Sequence, residues 1–284
     1  MIVLIDNGSK RPAATKNLRR LAAEMSRRAG EHVHPVSLLH SSAIAPTDLD
    51  GQPAETIEAF LKRQVQQGER SFSIVPLFFG PSRAIEQSLP TILADIEADY
   101  GPLDSRVAPV LCPLPKGEAR LVDILEDQTR EAMARHDLRP SQVILVDHGS
   151  PVPQVTAVRH WLAAGLSRRF ANELRVTEAV MERRQGRQYD FNGQLLEEAL
   201  ATATPLEVPE HPRAQPLGGD VQTDVVLAMQ FISPGRHAGP GGDIGDIVET
   251  AMGRYPGLRA VESRLISDHP LFTEILYDRI AKLG

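Results

Sequence analysis

Short runs of Val, Ile and Leu recur along this chain. Between them lie longer stretches whose apolar residues return every three or four positions. The short runs predict strands near 2–6, 33–39, 72–78 and 106–111, and again near 143–147, 174–180, 223–231 and 258–264. The longer stretches predict helices near 13–29, 54–68, 84–98, 118–136, 154–170, 193–202, 244–253 and 270–282. Leu18, Leu21, Ala22, Met25 and Ala29, for instance, follow helical spacing. Alternation of strand and helix predicts an α/β fold, a parallel sheet with helices on both faces. The strands are nearly continuous in apolar residues, as strands covered on both sides should be.

The pattern occurs twice. Ile2-Val3-Leu4-Ile5-Asp6-Asn7-Gly8-Ser9 reappears as Val143-Ile144-Leu145-Val146-Asp147-His148-Gly149-Ser150, and Phe78-Phe79-Gly80-Pro81-Ser82-Arg83-Ala84 as Phe231-Ile232-Ser233-Pro234-Gly235-Arg236-His237. Leu21-Ala22-Ala23 answers Leu162-Ala163-Ala164, and Val122-Asp123-Ile124-Leu125 answers Thr273-Glu274-Ile275-Leu276. The chain is therefore expected to form two tandem flavodoxin-like parallel-sheet domains related by internal duplication. The division falls in the polar connector Leu138-Arg139-Pro140-Ser141, giving domains 1–138 and 139–284. The copies lie further apart at the second motif than at the first. The second copy thus holds an insertion, for which the Pro/Gly-rich stretch Pro205 to Val221 is the natural place.

The copies differ where chemistry would sit. Ligands in open α/β sheets bind beyond the carboxyl ends of strands. His148 directly follows the first strand of the second copy, and His237 follows its third after a short loop. Asn7 and Ala84, their counterparts, offer no general base. Carrying the spacing of the first motif forward places Glu182 opposite Ser41, with Glu178 as the alternative carboxylate. Two imidazoles and a carboxylate can hold a borderline divalent ion or accept protons. Taken singly, His148 also reads as an incidental residue in a polar turn, and Glu182 as a solvated loop residue. What favours chemistry is that all three change together between copies. Gly149 permits the tight turn, Ser150 is a candidate cap for the following helix, and Asp243 reads as the N-cap of the helix carrying Ile244. His32 and His34 alternate at a strand start without an equivalent in the second copy. His40, His136, His160 and His211 read as surface residues, and His269 before Pro270 as a helix boundary.

Composition narrows the classes. The net charge of −6 disfavours nucleic-acid binding. Cys112 is the only cysteine, which excludes an internal disulfide and a cysteine-held cluster. No apolar run is long enough to span a bilayer, and the chain opens on the strand pattern Ile2 to Ile5 rather than a secretory leader, so a cytoplasmic location without membrane attachment is expected. Arg159, Arg183, Arg184, Arg187 and Arg236 lie near the special motifs of the second copy. They could pair with an anionic substrate, though a solvated surface accounts for most of them.

The Asp147-His148-Gly149-Ser150 turn, joined to Gly235-Arg236-His237, the glycine-rich stretch to Asp243 and the duplication, resembles the CbiX/SirB family of sirohydrochlorin chelatases, or class II chelatases. The resemblance covers both halves and implies chelatase-like domains. It implies that His148 and His237 bind the incoming metal and take up pyrrole protons, with Glu182 as a further catalytic group. The substrates implied are an anionic tetrapyrrole and a divalent ion, Co²⁺ first, then Fe²⁺ or Ni²⁺. No other cofactor and no ATP are implied. Arg236, Ser150 and the glycine loop around Gly235, Gly241 and Gly242 would meet the carboxylates of the ring. Short members of the family pair as homodimers, so the long chain is expected to act as a monomeric pseudo-dimer whose first half is a structural partner. The rival expectation is a metal or tetrapyrrole carrier without turnover.

Overall fold

The structure is a computed structural model that describes residues 1–140, 142–171, 173–203 and 222–283. The expected insertion at Pro205 to Val221, with His211, lies outside the described residues. Strands and helices alternate throughout: β1 (Ile2–Asp6), α1 (Pro12–Ala29), β2 (Val33–Ser37), α2 (Ile57–Gln66), β3 (Ser71–Pro76), α3 (Leu89–Tyr100), β4 (Asp104–Val107) and α4 (Ala119–Arg135). The second series is β5 (Gln142–Asp147), α5 (Pro153–Arg169), β6 (Arg175–Val180), α6 (Leu196–Ala201), β7 (Thr223–Met229), α7 (Asp243–Arg254), β8 (Leu258–Glu262) and α8 (Pro270–Ala281). All strand pairs are parallel, in the orders β2-β1-β3-β4 and β6-β5-β7-β8. The α/β class and its repetition are as expected.

Local chemistry sets the boundaries. Pro12, Pro153 and Pro270 open their helices at the position where a missing N–H costs nothing. Gly30 closes α1 in a left-handed conformation and donates to the Ser26 carbonyl. Two predicted elements are displaced. The apolar run near 106–111 is a strand only to Val107, because Pro109 lacks the N–H that the ladder with β3 needs. Residues 84–88 form a wide π-type turn before α3 begins. The four central strands are buried along nearly their whole length, whereas the edge strands β2, β4, β6 and β8 keep exposed or half-buried positions. Continuous burial thus describes half of the strands.

The chain divides into two compact units, and these are not the two repeats. One comprises Met1–Arg120, Ile232–Arg236 and the described residues of Ser267–Gly284; the other comprises the described residues of Leu121–Phe231 together with His237–Ile266. The division expected at 138/139 follows the duplication. The compact units exchange the terminal helices, so that α8 joins the first sheet and α4 the second. In the first unit α8 buries Arg279, which donates to the Leu111 carbonyl at 2.9 Å and to Glu118 at 3.1 Å. In the second unit Ala132 of α4 packs with Leu138 and Val226, and Gln128 donates to the Leu265 carbonyl at 2.8 Å. Gly165 of α5 lies so close to Val122 that an added Cβ would come within 2.6 Å of its methyl group.

Candidate functional site

In the order β6-β5-β7-β8 the winding reverses between the central strands β5 and β7. The crevice at their carboxyl ends is where such sheets take ligands. His148 follows β5 directly, Glu182 lies two residues beyond β6, and His237 lies within the loop between β7 and α7. All three belong to the second unit, and the fold brings them together.

The two imidazoles meet near edge-on, with ring centroids 4.5 Å apart and planes at 62°. His148 Nδ1 lies 2.9 Å from the Gly149 carbonyl oxygen, which can only accept, so Nδ1 carries the donated hydrogen. His237 Nδ1 lies 2.8 Å from Asp243 Oδ2 and is held in the same way by a carboxylate. Both rings are thereby fixed in the tautomer that leaves Nε2 for a ligand, the arrangement by which outer partners orient metal-binding histidines. Glu182 Oε1 stands 3.2 Å from His148 Nε2. Two acceptors that close are suited to hold one proton between them. Among the described residues, no three or more His, Cys, Asp and Glu side chains form a group that could hold a metal ion. The site offers an open imidazole pair rather than a cage.

His148, Gly149, Ser150, Pro151, Glu182, Arg183 and Arg184 line one pocket. Arg183 donates to the Gly193 carbonyl at 2.6 Å, and the Arg184 guanidinium lies over the Tyr189 ring. The mouth of the pocket is therefore cationic.

Several expectations need correction. Ser150 does not cap α5: the N-cap is Val152, whose N–H donates to Ser150 Oγ at 3.1 Å. Asp243 is the first residue of α7 rather than its cap, which is Gly242, and its carboxylate serves His237. Glu182 answers Leu39 in the first repeat, not Ser41. The registers pair Ile2 with Val33 and Val143 with Val176, which shifts the second strand by two residues relative to the first motif. Accordingly Leu39 N–H donates to the Asn7 carbonyl as Glu182 N–H donates to that of His148, each at 3.1 Å. Glu178 does not line the pocket; it accepts from Arg159 at 3.1 Å and pairs with His160 Nδ1 at 2.6 Å. Arg159 is 1 % exposed, not a solvated surface residue. Gly242 donates its N–H to the Gly239 carbonyl at 3.0 Å and packs against His237, while Gly241 is exposed. Gly235 and Arg236 group with the first unit.

The first repeat keeps the turn without the chemistry. Ala84 packs at the margin of the first core. Asp6, the counterpart of Asp147, has a buried Oδ1 without a hydrogen-bond partner, and burial pushes its carboxyl up to about 6. Burial also raises Asp147, with the Arg159 guanidinium pulling the other way. Cys112 is buried, and that burial pushes its thiol up to about 11, as suits a packing residue.

Sequence reasoning missed the role of Arg159, although a signal was present. It occupies the apolar stripe of its helix, between Thr156 and Leu162, where Leu18 stands in the first repeat. A charge in a buried stripe requires partners.

Residues 1–132 match the CbiX family. Among curated proteins no sequence matches the chain. Among solved structures, SirB from Bacillus subtilis with Fe³⁺ is similar at 14% identity and a TM-score of 0.65, covering 99% of this chain and 94% of that one. SirB from Bacillus subtilis subspecies spizizenii in complex with cobalt shares 16% identity with a TM-score of 0.62, over 99% and 94%. CbiX, described as the terminal enzyme for biosynthesis of siroheme in denitrifying bacteria, shares 14% with a TM-score of 0.60, over 100% and 99%. At such identities the likeness establishes a common fold. No helix among the described residues is long and apolar enough to cross a membrane.

Proposed function

We propose, from the match of residues 1–132 to the CbiX family, that the chain inserts a divalent metal into sirohydrochlorin or a closely related tetrapyrrole, with its chemistry in the second repeat. The observation that carries this reading is the imidazole pair His148/His237, whose rings meet with each Nδ1 held by an oxygen, which leaves the Nε2 side of each ring for a metal.

In this mechanism the hydrated metal ion exchanges water for the two Nε2 atoms, one at a time. Imidazole suits Co²⁺, Fe²⁺ and Ni²⁺ alike, and Co²⁺ is the first choice. As the metal enters the ring, two pyrrole N–H protons must leave. Once the metal has left His148 Nε2 for the ring, that nitrogen and Glu182 take up one proton at the position they share, and solvent takes the other. Arg183 and Arg184, at the pocket mouth, meet the carboxylates of the ring, as arginine forks do. The reaction moves no electron and calls for no redox cofactor, and the proposed mechanism runs without ATP. Since one chain carries both repeats, it acts as a monomer.

The test is anaerobic absorbance of sirohydrochlorin with Co²⁺, Fe²⁺ or Ni²⁺, using wild-type protein and the His148→Ala/His237→Ala double variant. Many rings metallated per protein, lost in the variant, is the expected result. Binding spectra without turnover above the uncatalysed rate would overturn it in favour of a carrier.

A further inference from the structure

Beneath the His148 turn lies a buried ionic group that the chemistry above does not use. Arg159 Nη1 donates to Asp147 Oδ1 at 2.7 Å, Nε to Glu178 Oε2 at 3.1 Å, and Nη2 to the Asn192 carbonyl at 2.6 Å. Asp147 Oδ1 also accepts from Gly149 N–H at 3.1 Å. Asn192 grips the other side of the turn: its Oδ1 accepts from Ser150 N–H at 3.0 Å and from Thr156 Oγ1 at 3.2 Å, and its Nδ2 donates to the Ser150 carbonyl at 2.9 Å and to that of Tyr189 at 3.1 Å. Residues 147, 149 and 150, on both sides of the histidine, are thus tied into one network whose branch point is a guanidinium. The planar fork, with donors in three directions, satisfies two carboxylates and a carbonyl at once in a geometry that a point-like ammonium does not match.

The network accompanies the histidine. In the first repeat Leu18 stands for Arg159, and the strand register sets Pro35 opposite Glu178. Asp6 Oδ1 is left without a partner, and the turn carries Asn7. The fold therefore does not require this ion cluster. Buried ion groups are weak sources of stability, and their best-attested use is to specify one arrangement.

We propose that Arg159 is a positioning residue for His148: acting through Asp147 and Asn192, its fork holds the turn so that His148 Nδ1 meets the Gly149 carbonyl and Nε2 is presented to the metal. The link to turnover rests on the chelatase reading; the link to His148 orientation does not.

Long-range ¹H–¹⁵N spectra of the imidazoles in the full-length protein separate the two, with His148→Gln identifying the His148 signals. Wild type is expected in the Nδ1–H tautomer. Arg159→Lys keeps the buried charge but not the fork. It is expected to unfold cooperatively, to show His148 in mixed tautomers, and to bind Zn²⁺ about 10- to 100-fold more weakly. In the chelation assay its kcat falls by a similar factor while KM for the ring changes little. Should Arg159→Lys fail to fold, Asn192→Ala, which leaves every buried charge paired, carries the same spectral test. A folded variant with an unchanged His148 tautomer and Zn²⁺ affinity overturns the proposal, as does a wild-type His148 protonated at Nε2. Absence of chelation by wild type overturns the function and leaves the spectral result standing.

Discussion

A Cβ added to Gly149 would lie 2.0 Å from the carbonyl oxygen of Glu182. The close approach, at φ +91°, docks the loop bearing Glu182 onto the turn bearing His148, so a glycine sets the spacing of two side chains it does not contact. In the first repeat a Cβ added to Gly8 would lie 1.7 Å from the Leu39 carbonyl oxygen. Gly149→Ala should therefore destabilise the second unit by more than about 1 kcal/mol and abolish metal binding at His148. Gly8→Ala should cost similar stability yet leave metal binding intact. Thermal unfolding and Zn²⁺ titration of both variants check this; equal loss of metal binding in the two would contradict it.

Asp243 holds His237 in its ligand tautomer. Asp243→Ala should weaken metal binding or slow turnover by about 10- to 100-fold, as the loss of outer partners does, with little change in melting temperature because both side chains are partly exposed. Calorimetric titration with Co²⁺ measures the first effect and circular dichroism the second.

Glu182 shares a proton position with His148 but lies mostly in solvent. Glu182→Gln should lower kcat by about 10²-fold or more, the usual contribution of a positioned acid–base group, while metal affinity changes much less. An unaltered steady-state rate would mean that the proton leaves by another route.

Asp6 makes stability depend on pH. Its carboxyl is raised to about 6 in the fold, so the folded chain holds a proton that the unfolded chain releases nearer pH 4. The stabilisation is present below the unfolded value and is lost as pH rises through the folded one. Asp6→Asn should therefore stabilise the protein by up to about 3 kcal/mol at pH 7.5, and by nothing at pH 4. Urea unfolding at the two pH values decides; a gain independent of pH would exclude the titration of Asp6 as its cause.

The architecture was legible because strand and helix have different apolar periods and the chain states the pattern twice. His148 and His237 were legible because the duplication supplies its own control, in Asn7 and Ala84. Glu182 was found with the wrong counterpart: the loop between α5 and β6 is two residues longer than the one between α1 and β2, which shifts the register, and spacing alone cannot see where a loop gains residues. Asp243 was misread for a local reason. An aspartate just before a helical pattern looks like a cap, and only the backbone of Gly242 assigns that position. Arg159 was hidden among many arginines, and its partners come from three separate segments. The exchange of α4 and α8 leaves no trace in the pattern, because a helix with one apolar face fits either sheet equally well.

That exchange changes what it would mean to cut the chain. Cleavage at 138/139 would give two fragments, each lacking the helix that covers its own sheet and each carrying the one the other fragment needs. Neither should fold alone, whereas the mixture should reconstitute both units at once. Tethering supplies each missing helix at an effective concentration of about millimolar; dilution would deprive the fragments of it. The peptide linkage between the repeats thus acts as a concentration device, and the two lobes stand or fall together although only one bears the histidines.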